Sequence, residues 1–314
     1  MIYKRAALWL VLVLAFTGRT VEGQALSFGV IGDSGSGDFR QQEVARAMVQ
    51  WSAAHPWQFI MMLGDNIYED GNPAYFSSNF LIPYRELIHR GIPFHSVLGN
   101  HDRRHPAARL GCAQVEEKAF GYVGGTDEYP FEVDIPDSPG LKARFLVINS
   151  SAWEEILESG REDTLPCKDQ SMSRLDRFKK WMDSSKHYRW NLLFMHHPLY
   201  SFLKPWYIPP FYHGHGGSPR LRAKLEPLME GKKVDVVFAG HDHLYQKIRP
   251  QQGIHYFVSG GGSRLRSGGN FNHPQVEFGA QQLHFIDVKL TQNEMKFQVI
   301  DSQGKVFHSG SISK

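Results

Sequence analysis

The sequence is poor in cysteine and in long apolar runs, and it carries little net charge. Cys112 and Cys167 are its only cysteines, so a cysteine-based zinc cluster is excluded and any metal must bind through His, Asp, Asn or Tyr side chains. The formal net charge of +3 gives no strong basic field for binding nucleic acid. Hydrophobic residues nevertheless make up 41% of the 314 residues, which is enough for a sizeable buried core.

Residues 1–23 have the pattern of a cleaved secretory signal. Lys4 and Arg5 precede an apolar run at 6–16, and small residues follow around Gly23. The run is too short to span a bilayer comfortably, and an uncleaved signal anchor is the alternative interpretation. No later stretch approaches the length of a spanning helix. We therefore expect a secreted or lumenal protein without stable membrane insertion.

The remainder of the chain, 24–314, is expected to form a single domain and a monomer. No internal repeat, low-complexity tract or long linker divides it. An oxidising compartment would permit a disulfide between Cys112 and Cys167, and the sequence leaves open whether that disulfide forms.

Short apolar runs alternate with helical patterns along most of this domain. The predicted strands are residues 26–31, 59–63, 94–98, 145–148, 192–195, 234–239 and 254–258. The predicted helices are residues 41–54, 80–90, 173–184 and 221–230. Two further strands, 283–288 and 295–300, are joined by a turn without a helix between them. The alternation predicts an α/β protein, and the last two strands predict mixed sheets.

Five predicted strands are each followed by polar residues whose side chains can bind a metal or take part in catalysis. These residues are Asp33, Asp65, Asn100-His101-Asp102, His196-His197 and His241-Asp242-His243. Ligands of α/β sheets bind beyond the carboxyl ends of strands, so residues far apart in sequence can converge there. Gly precedes four of the clusters, which permits close backbone approach to a ligand.

Taken alone, any one of these clusters favours a structural role. A single Asp at a strand end is more often a helix cap, and a single His is more often a surface or core residue. Five compatible clusters favour a metal site, because charged and imidazole groups are costly to gather without a compensating cation.

The same clusters lie in five short motifs. They are GDSG (32–35), GDNIY (64–68), GNHD (99–102), MHH (195–197) and GHDH (240–243). In order and spacing these motifs resemble the five blocks of the purple acid phosphatases, within the calcineurin-like metallophosphoesterases. GDNIY is the most specific, because its Tyr separates this group from phosphodiesterase relatives that begin with Asp-x-His. The resemblance implies a four-layer α/β/β/α sandwich with two mixed sheets.

The resemblance also implies an acid phosphatase that hydrolyses phosphate monoesters by attack of a metal-activated hydroxide. Its metal ligands would be Asp33, Tyr68 and His243 for one ion, Asn100, His196 and His241 for the other, and Asp65 as the bridge. Donor chemistry agrees with this division. A phenolate with a carboxylate suits hard Fe(III), whereas an amide oxygen with two imidazoles suits Fe(II), Zn(II) or Mn(II).

The leaving alkoxide needs a proton or a positive neighbour, and the resemblance assigns this task to two histidines that do not bind metal. His101 is one by its place in GNHD, with Asp102 placed to orient it. His215 is the second, because residues 215–228 resemble the block after the corresponding histidine of mammalian tartrate-resistant acid phosphatases. His213 and His197 are the alternatives.

Two loops have two interpretations each. The aromatic, proline-rich residues 205–212 either wall the substrate pocket or pack as a surface loop. The glycine-rich residues 259–262 either approach the metals or simply turn. Arg264 and Arg266, which follow that loop, either meet phosphate oxygens or stay solvated.

Other classes of protein are weighed against the phosphatase. One is a phosphodiesterase or nucleotidase with two divalent metals and no tyrosinate absorption. Another is a secreted binding protein with a structural or inactive metal centre. The presence of every metal ligand of the motifs argues against this alternative. The expected partner of the main hypothesis is a small-molecule or protein-borne phosphate ester, with no nucleic acid.

Overall fold

A computed structural model describes residues 25–160, 167, 172–203, 215–231 and 233–314. The predicted signal at 1–23, the aromatic stretch at 205–212 and His213 lie outside these described residues. Within the described ranges, no helix combines the length and the apolar character that crossing a bilayer requires.

Every strand expected from the sequence is present, with its ends displaced by a few residues at most. The strands are β1 (Leu26–Ile31), β2 (Phe59–Met62), β3 (Phe94–Ser96), β4 (Tyr129–Asp134), β5 (Lys142–Val147), β6 (Trp190–Met195), β7 (Val236–Ala239), β8 (Tyr245–Gln251), β9 (Ile254–Ser259), β10 (Val276–Ala280), β11 (His284–Leu290), β12 (Glu294–Asp301) and β13 (Val306–Ser313). The sequence did not predict β4, β8, β10 or β13. Three of these are edge strands, which lack a continuous apolar run because water reaches them.

The described residues contain six α-helices, and one of them is much shorter than its sequence pattern predicts. They are α1 (Phe39–Ala54), α2 (Arg85–His89), α3 (Cys112–Glu116), α4 (Ser150–Ser159), α5 (Arg174–Asp183) and α6 (Pro219–Met229). The prediction of one helix over 80–90 is wrong. A π-helical turn, Ser77–Leu81, is followed by the separate helix α2. Pro83 lies between the two, and its missing N–H interrupts helical hydrogen bonding.

The strands form two mixed sheets, as predicted. The first has the order β13-β12-β11-β1-β2-β3, and the second has the order β10-β8-β9-β7-β6-β5-β4. Each sheet contains a run of adjacent parallel strands. These are β1, β2 and the edge strand β3 in the first sheet, and β5, β6, β7 and β9 in the middle of the second. Parallel strands end at the same edge, so the loops after them are neighbours.

The two faces of the second sheet pack against different layers, because successive side chains along a strand point to opposite faces. On β6, Leu192 and Phe194 belong to the core shared with the first sheet, whereas Leu193 and Met195 pack with residues of α4, α5 and α6. Between the sheets, the ring of Phe28 on β1 meets that of Phe145 on β5 edge-on, with centroids 5.3 Å apart. Helix α1 packs against β11 of the first sheet. This arrangement is the expected four-layer α/β/β/α sandwich.

A disulfide joins Cys112 to Cys167, a question that the sequence left open. Their Cα atoms lie 4.9 Å apart, within the usual range for such a bond. The bond connects α3, which follows the GNHD loop, to the chain beyond α4.

Candidate metal centre

Three of the proposed ligands adopt an unusual backbone conformation just after their strands. Asp33, Asp65 and His241 have φ angles of 56°, 53° and 70°. Residues other than glycine rarely occupy this left-handed region, because Cβ clashes with the main chain. Such conformations persist where surrounding contacts impose them, and they are typical of functional sites.

Close contact between neighbouring loops explains two of the glycines that precede the ligands. Gly64 has a φ of 91°, and a Cβ added there would lie 2.7 Å from Nδ1 of His196. A Cβ added at Gly99 would lie 2.2 Å from the backbone N of Asp65. Any larger residue would therefore push the loops after β2, β3 and β6 apart.

Asp33, Tyr68 and His243 form the first group of ligand atoms. The Tyr68 hydroxyl lies 3.2 Å from Asp33 Oδ1 and 3.0 Å from His243 Nε2. The third side of this triangle, from His243 Nε2 to Asp33 Oδ1, is 3.4 Å. One phenol oxygen, one carboxylate oxygen and one imidazole nitrogen thus point to a common position.

Asn100, His196 and His241 form the second group. Asn100 Oδ1 lies 3.0 Å from His196 Nε2 and 3.1 Å from His241 Nδ1, and the two ring nitrogens are 3.2 Å apart. The other nitrogen of His196, Nδ1, donates to the Leu63 carbonyl oxygen at 2.8 Å. That bond leaves Nε2 of His196 with its lone pair directed at the group, as metal ligation requires.

Asp65 connects the two groups. Its Oδ1 lies 3.4 Å from His196 Nε2 of the second group, and ligand atoms of Asp65, of His196 and of Asp33 in the first group all lie within 4.8 Å of one another. Burial raises the pKa of the Asp65 carboxyl, but the charges of His196 and His101 and a backbone hydrogen bond more than offset this, leaving it at about 2. Asp65 is therefore anionic in the place where a bridging carboxylate is expected.

The composition of the buried site fits bound cations. Asp33 and Asp65 are 0% and 1% exposed, and burying two carboxylates side by side is costly without positive charge. Burial and the neighbouring carboxylates of Asp65 and Asp33 raise the pKa of Tyr68 well above its ordinary value. A phenolate at Tyr68 therefore requires a cation nearby. The two donor groups are the ones that a hard ion and a borderline divalent ion prefer.

His101 lies at the edge of this site. Its Nε2 is 3.9 Å from Asp65 Oδ2, and its ring meets that of Tyr68 edge-on, with centroids 4.7 Å apart. Its Nδ1 donates to the Glu69 carbonyl oxygen. Burial lowers the pKa of His101, although Asp65 opposes this.

The expectation that Asp102 orients His101 is wrong. Asp102 is fully buried and accepts hydrogen bonds from the backbone N–H groups of Gly99 (2.8 Å), Asn66 (3.2 Å) and Ile67 (2.9 Å). The side chain of Gln114 donates a fourth at 2.7 Å. The Asp102 carboxylate thus joins the loops after β2 and β3, because those loops expose N–H groups that no strand satisfies.

His215 lies close to both groups of ligands. Its ring stacks on that of His241 at 4.7 Å and meets that of His243 edge-on at 5.8 Å. Its Nδ1 lies 3.0 Å from Asp242 Oδ1. The alternative residue His197 is also near, with its ring 4.4 Å from that of His241, but its Nδ1 is engaged by the Ser150 hydroxyl at 3.1 Å.

With this geometry established, comparison with known proteins decides the family. The calcineurin-like phosphoesterase family model matches residues 26–245, which span all five motifs. The chain belongs to the calcineurin-like phosphoesterases. Every loop that carries a proposed metal ligand lies within the matched residues.

Relatives of this calcineurin-like phosphoesterase bear the name expected from the motifs. Purple acid phosphatase 4 of Arabidopsis thaliana is 29% identical, over 92% of this chain and 84% of that protein. Tartrate-resistant acid phosphatase type 5 of Rattus norvegicus is 24% identical, over 87% of this chain and 83% of the rat protein. These matches confirm the resemblance to the purple acid phosphatases that the motifs predicted.

Solved structures support the fold of the phosphoesterase. GAP50, the anchor in the inner membrane complex of Plasmodium, aligns with a TM-score of 0.72 and 19% identity, over 92% of this chain and 89% of GAP50. A purple acid phosphatase from yellow lupin seeds, Lupinus luteus, aligns with a TM-score of 0.69 and 18% identity, over 93% of this chain and 54% of the lupin chain. At these identities the likeness establishes the fold alone.

The sequence also contained supporting residues that motif reasoning missed. The hydroxyl of Ser150, at the start of α4, accepts hydrogen bonds from the backbone N–H groups of His196 (3.1 Å) and His197 (2.8 Å). Ser150 follows β5, so it carries the same pattern of a polar residue after a core strand as the ligands do. Arg264, expected to meet phosphate or solvent, instead pairs with Glu69.

Proposed function

We propose that this calcineurin-like phosphoesterase is an acid phosphatase that hydrolyses phosphate monoesters at a dinuclear Fe(III)–M(II) centre, where M is Fe, Zn or Mn. The observation that carries the proposal is the convergence of six side chains into two groups, with the Asp65 carboxylate within 4.8 Å of ligand atoms from both. Asp33, Tyr68 and His243 would hold the iron, Asn100, His196 and His241 the divalent ion, and Asp65 would bridge them.

The bound pair would supply an activated hydroxide and a clamp for the phosphoryl oxygens. The chain's own residues fix the ligands before substrate arrives. The Leu63 carbonyl orients His196, and the backbone N–H of His241 donates to Asp33 Oδ2 at 2.8 Å. Two carboxylates and one phenolate carry less charge than Fe(III) plus a divalent ion, so the centre would remain cationic and attract phosphate.

His101 and His215 would stabilise and protonate the leaving alkoxide. Each has one ring nitrogen held by the protein: Nδ1 of His101 donates to the Glu69 carbonyl, and Nδ1 of His215 donates to Asp242. The Nε2 atom of each ring is then the one that carries or releases the transferred proton. Such fixed imidazoles lose little orientational freedom on the way to the transition state.

The test compares turnover of an aryl phosphate monoester with turnover of the matching diester, using protein loaded with iron and zinc and protein stripped by a chelator. We expect metal-dependent hydrolysis that favours the monoester. Preference for the diester would support a phosphodiesterase, and no hydrolysis at full metal content would support a binding protein.

We further propose that residues 1–23 are a signal and that 24–314 are a secreted or lumenal monomeric catalytic domain. The positive start and apolar run of the N-terminus support the first part. N-terminal sequencing of protein recovered from the medium of expressing cells, with light scattering for its mass, tests both. An intact N-terminus on membrane-bound protein would contradict the signal, and a dimeric mass would contradict the monomer.

A further inference from the structure

The ring of Tyr68 is in contact with a cation. The guanidinium carbon of Arg264 lies 3.9 Å from the centroid of the Tyr68 ring. The Arg264 side chain is 25% exposed, so the contact is partly withdrawn from water. Attraction between a cation and an aromatic face is substantial at this distance and grows as water is excluded.

The residue after Tyr68 holds the guanidinium in place. Arg264 Nη1 lies 3.1 Å from Glu69 Oε2, and Nη2 donates to Glu69 Oε1. A two-pronged pair of this kind fixes the plane of the guanidinium as well as its distance. Because the carbonyl of Glu69 also accepts from His101, Glu69 links the cation on Tyr68 to a proposed substrate histidine.

The main chain around Arg264 is attached to the other members of the Tyr68 group. The hydroxyl of Ser263 donates to the Asp33 carbonyl oxygen at 2.7 Å. The backbone N–H of Arg266 donates to the His243 carbonyl oxygen at 2.9 Å. The guanidinium is therefore placed by contacts to the residues that would share a metal ion with Tyr68.

We infer that Arg264 is a positioning residue for the proposed ligand Tyr68. Arg264 holds the Tyr68 ring in one orientation and stabilises negative charge on the Tyr68 oxygen. The inference rests on the proposed Fe(III) centre. A positive charge close to the ring lowers the energy of the phenolate's electrons by Coulomb attraction. Moving an electron from the phenolate to the iron then takes more energy, so Arg264 shifts the visible charge-transfer band to shorter wavelength.

The experiment records the visible spectrum of iron-loaded protein in which iron content has been measured. In Arg264→Met and Arg264→Gln, which remove the charge, we expect the band to move to longer wavelength at unchanged iron content. Arg264→Lys restores a charge and should move the band back towards the wild-type position. Arg266→Met is the matched control, because Arg266 is exposed and its described bond to the site is through its backbone.

The possible outcomes separate this inference from the proposed function. A band that is equal in Arg264→Met, Arg264→Gln and Arg266→Met would overturn the role of Arg264 and leave the iron centre standing. A wild-type protein with full iron content and no visible band would overturn the phenolate ligand, and this inference with it. If Arg264→Met does not fold, Arg264→Gln, which keeps a polar group opposite Glu69, carries the comparison.

Discussion

The carboxylate of Asp242 holds the imidazole of His215, with Oδ1 and Nδ1 3.0 Å apart. Asp242 is fully buried, and in the sequence it lies between two proposed metal ligands. Its Oδ1 and Oδ2 also accept from the backbone N–H of Gly216, at 3.1 and 3.0 Å. The GHDH motif therefore contains two proposed metal ligands and, between them, the residue that holds a proposed proton donor from a different loop.

Replacing Asp242 by Asn tests this positioning role. Asparagine keeps the size of the side chain but removes the charge that selects the tautomer of His215, so we expect turnover to fall about 10- to 100-fold, the range typical of residues that orient a functional group. Both metal ions should stay bound. Ser201→Ala is the control, because the Ser201 hydroxyl also bonds Asp242 but does not touch His215. Equal losses in both variants would show a general effect on the loop.

His101→Ala and His215→Ala should keep both metals and reduce turnover by about 10²–10⁴-fold. The loss should be larger for alkyl phosphates than for activated aryl phosphates, because a good leaving group needs little protonation in the transition state. Steady-state rates on paired substrates measure this difference, with the exposed His187→Ala as control. Loss of one metal equivalent would make the residue a ligand. If His215→Ala leaves the rate unchanged, His213 or His197 becomes the candidate for protonating the leaving group.

Tyr68→Phe should abolish the visible band of the iron-loaded protein and leave the fold intact, because the substitution removes only the oxygen that would donate charge to iron in the proposed centre. Absorption spectra at known iron content, with circular dichroism for the fold, measure the result. Tyr188→Phe, which alters a tyrosine bonded to Glu132 and not to the site, should leave the band unchanged. A band that survives in Tyr68→Phe would identify a different chromophore.

A buried histidine outside the metal site should make folding stability depend on pH. Burial lowers the pKa of His284 from 6.5 to about 4, and its ring bonds Ser259 at 2.9 Å and the Gln282 carbonyl at 2.8 Å. The unfolded chain binds more protons than the folded chain between these two pKa values, so the free energy of unfolding falls as pH is lowered through that window. The loss amounts to about 3 kcal/mol.

Denaturant unfolding of wild type and His284→Gln at several pH values measures this contribution. Glutamine cannot gain the proton, so its stability should fall less steeply between pH 6.5 and about 4 than that of the wild type. Parallel curves for the two proteins would contradict a neutral, buried His284.

The strands and the loops that carry the site could be predicted from the sequence because both have local signatures. A fully buried strand such as β1 or β6 is a continuous apolar run, and every proposed ligand except Tyr68 lies in the polar cluster that follows such a run. Strand β13 could not be predicted in this way, because Ser309, Gly310 and Ser311 lie exposed at the sheet edge and leave no apolar pattern.

Contacts between loops were harder to predict, because they depend on tertiary packing. Asp102 follows His101 in sequence, and the GNHD motif predicts that it orients His101. Its carboxylate instead accepts hydrogen bonds from backbone N–H groups of two loops, which only the folded chain brings together. The partner of Arg264 lies 195 residues away at Glu69, a distance over which no local pattern operates. The role of Asp242 likewise appears only when the loop bearing His215 is placed beside it.

The most direct test of a dinuclear centre bridged by Asp65 is elemental analysis of metal per chain in wild type, Asp65→Ala and the surface control Asp176→Ala. A bridging carboxylate contacts both ions, so its removal should weaken both sites. We predict two metal ions per chain in the wild type and the control, and a loss of both in Asp65→Ala. Two metal ions retained in Asp65→Ala, or only one in the wild type, would contradict the account.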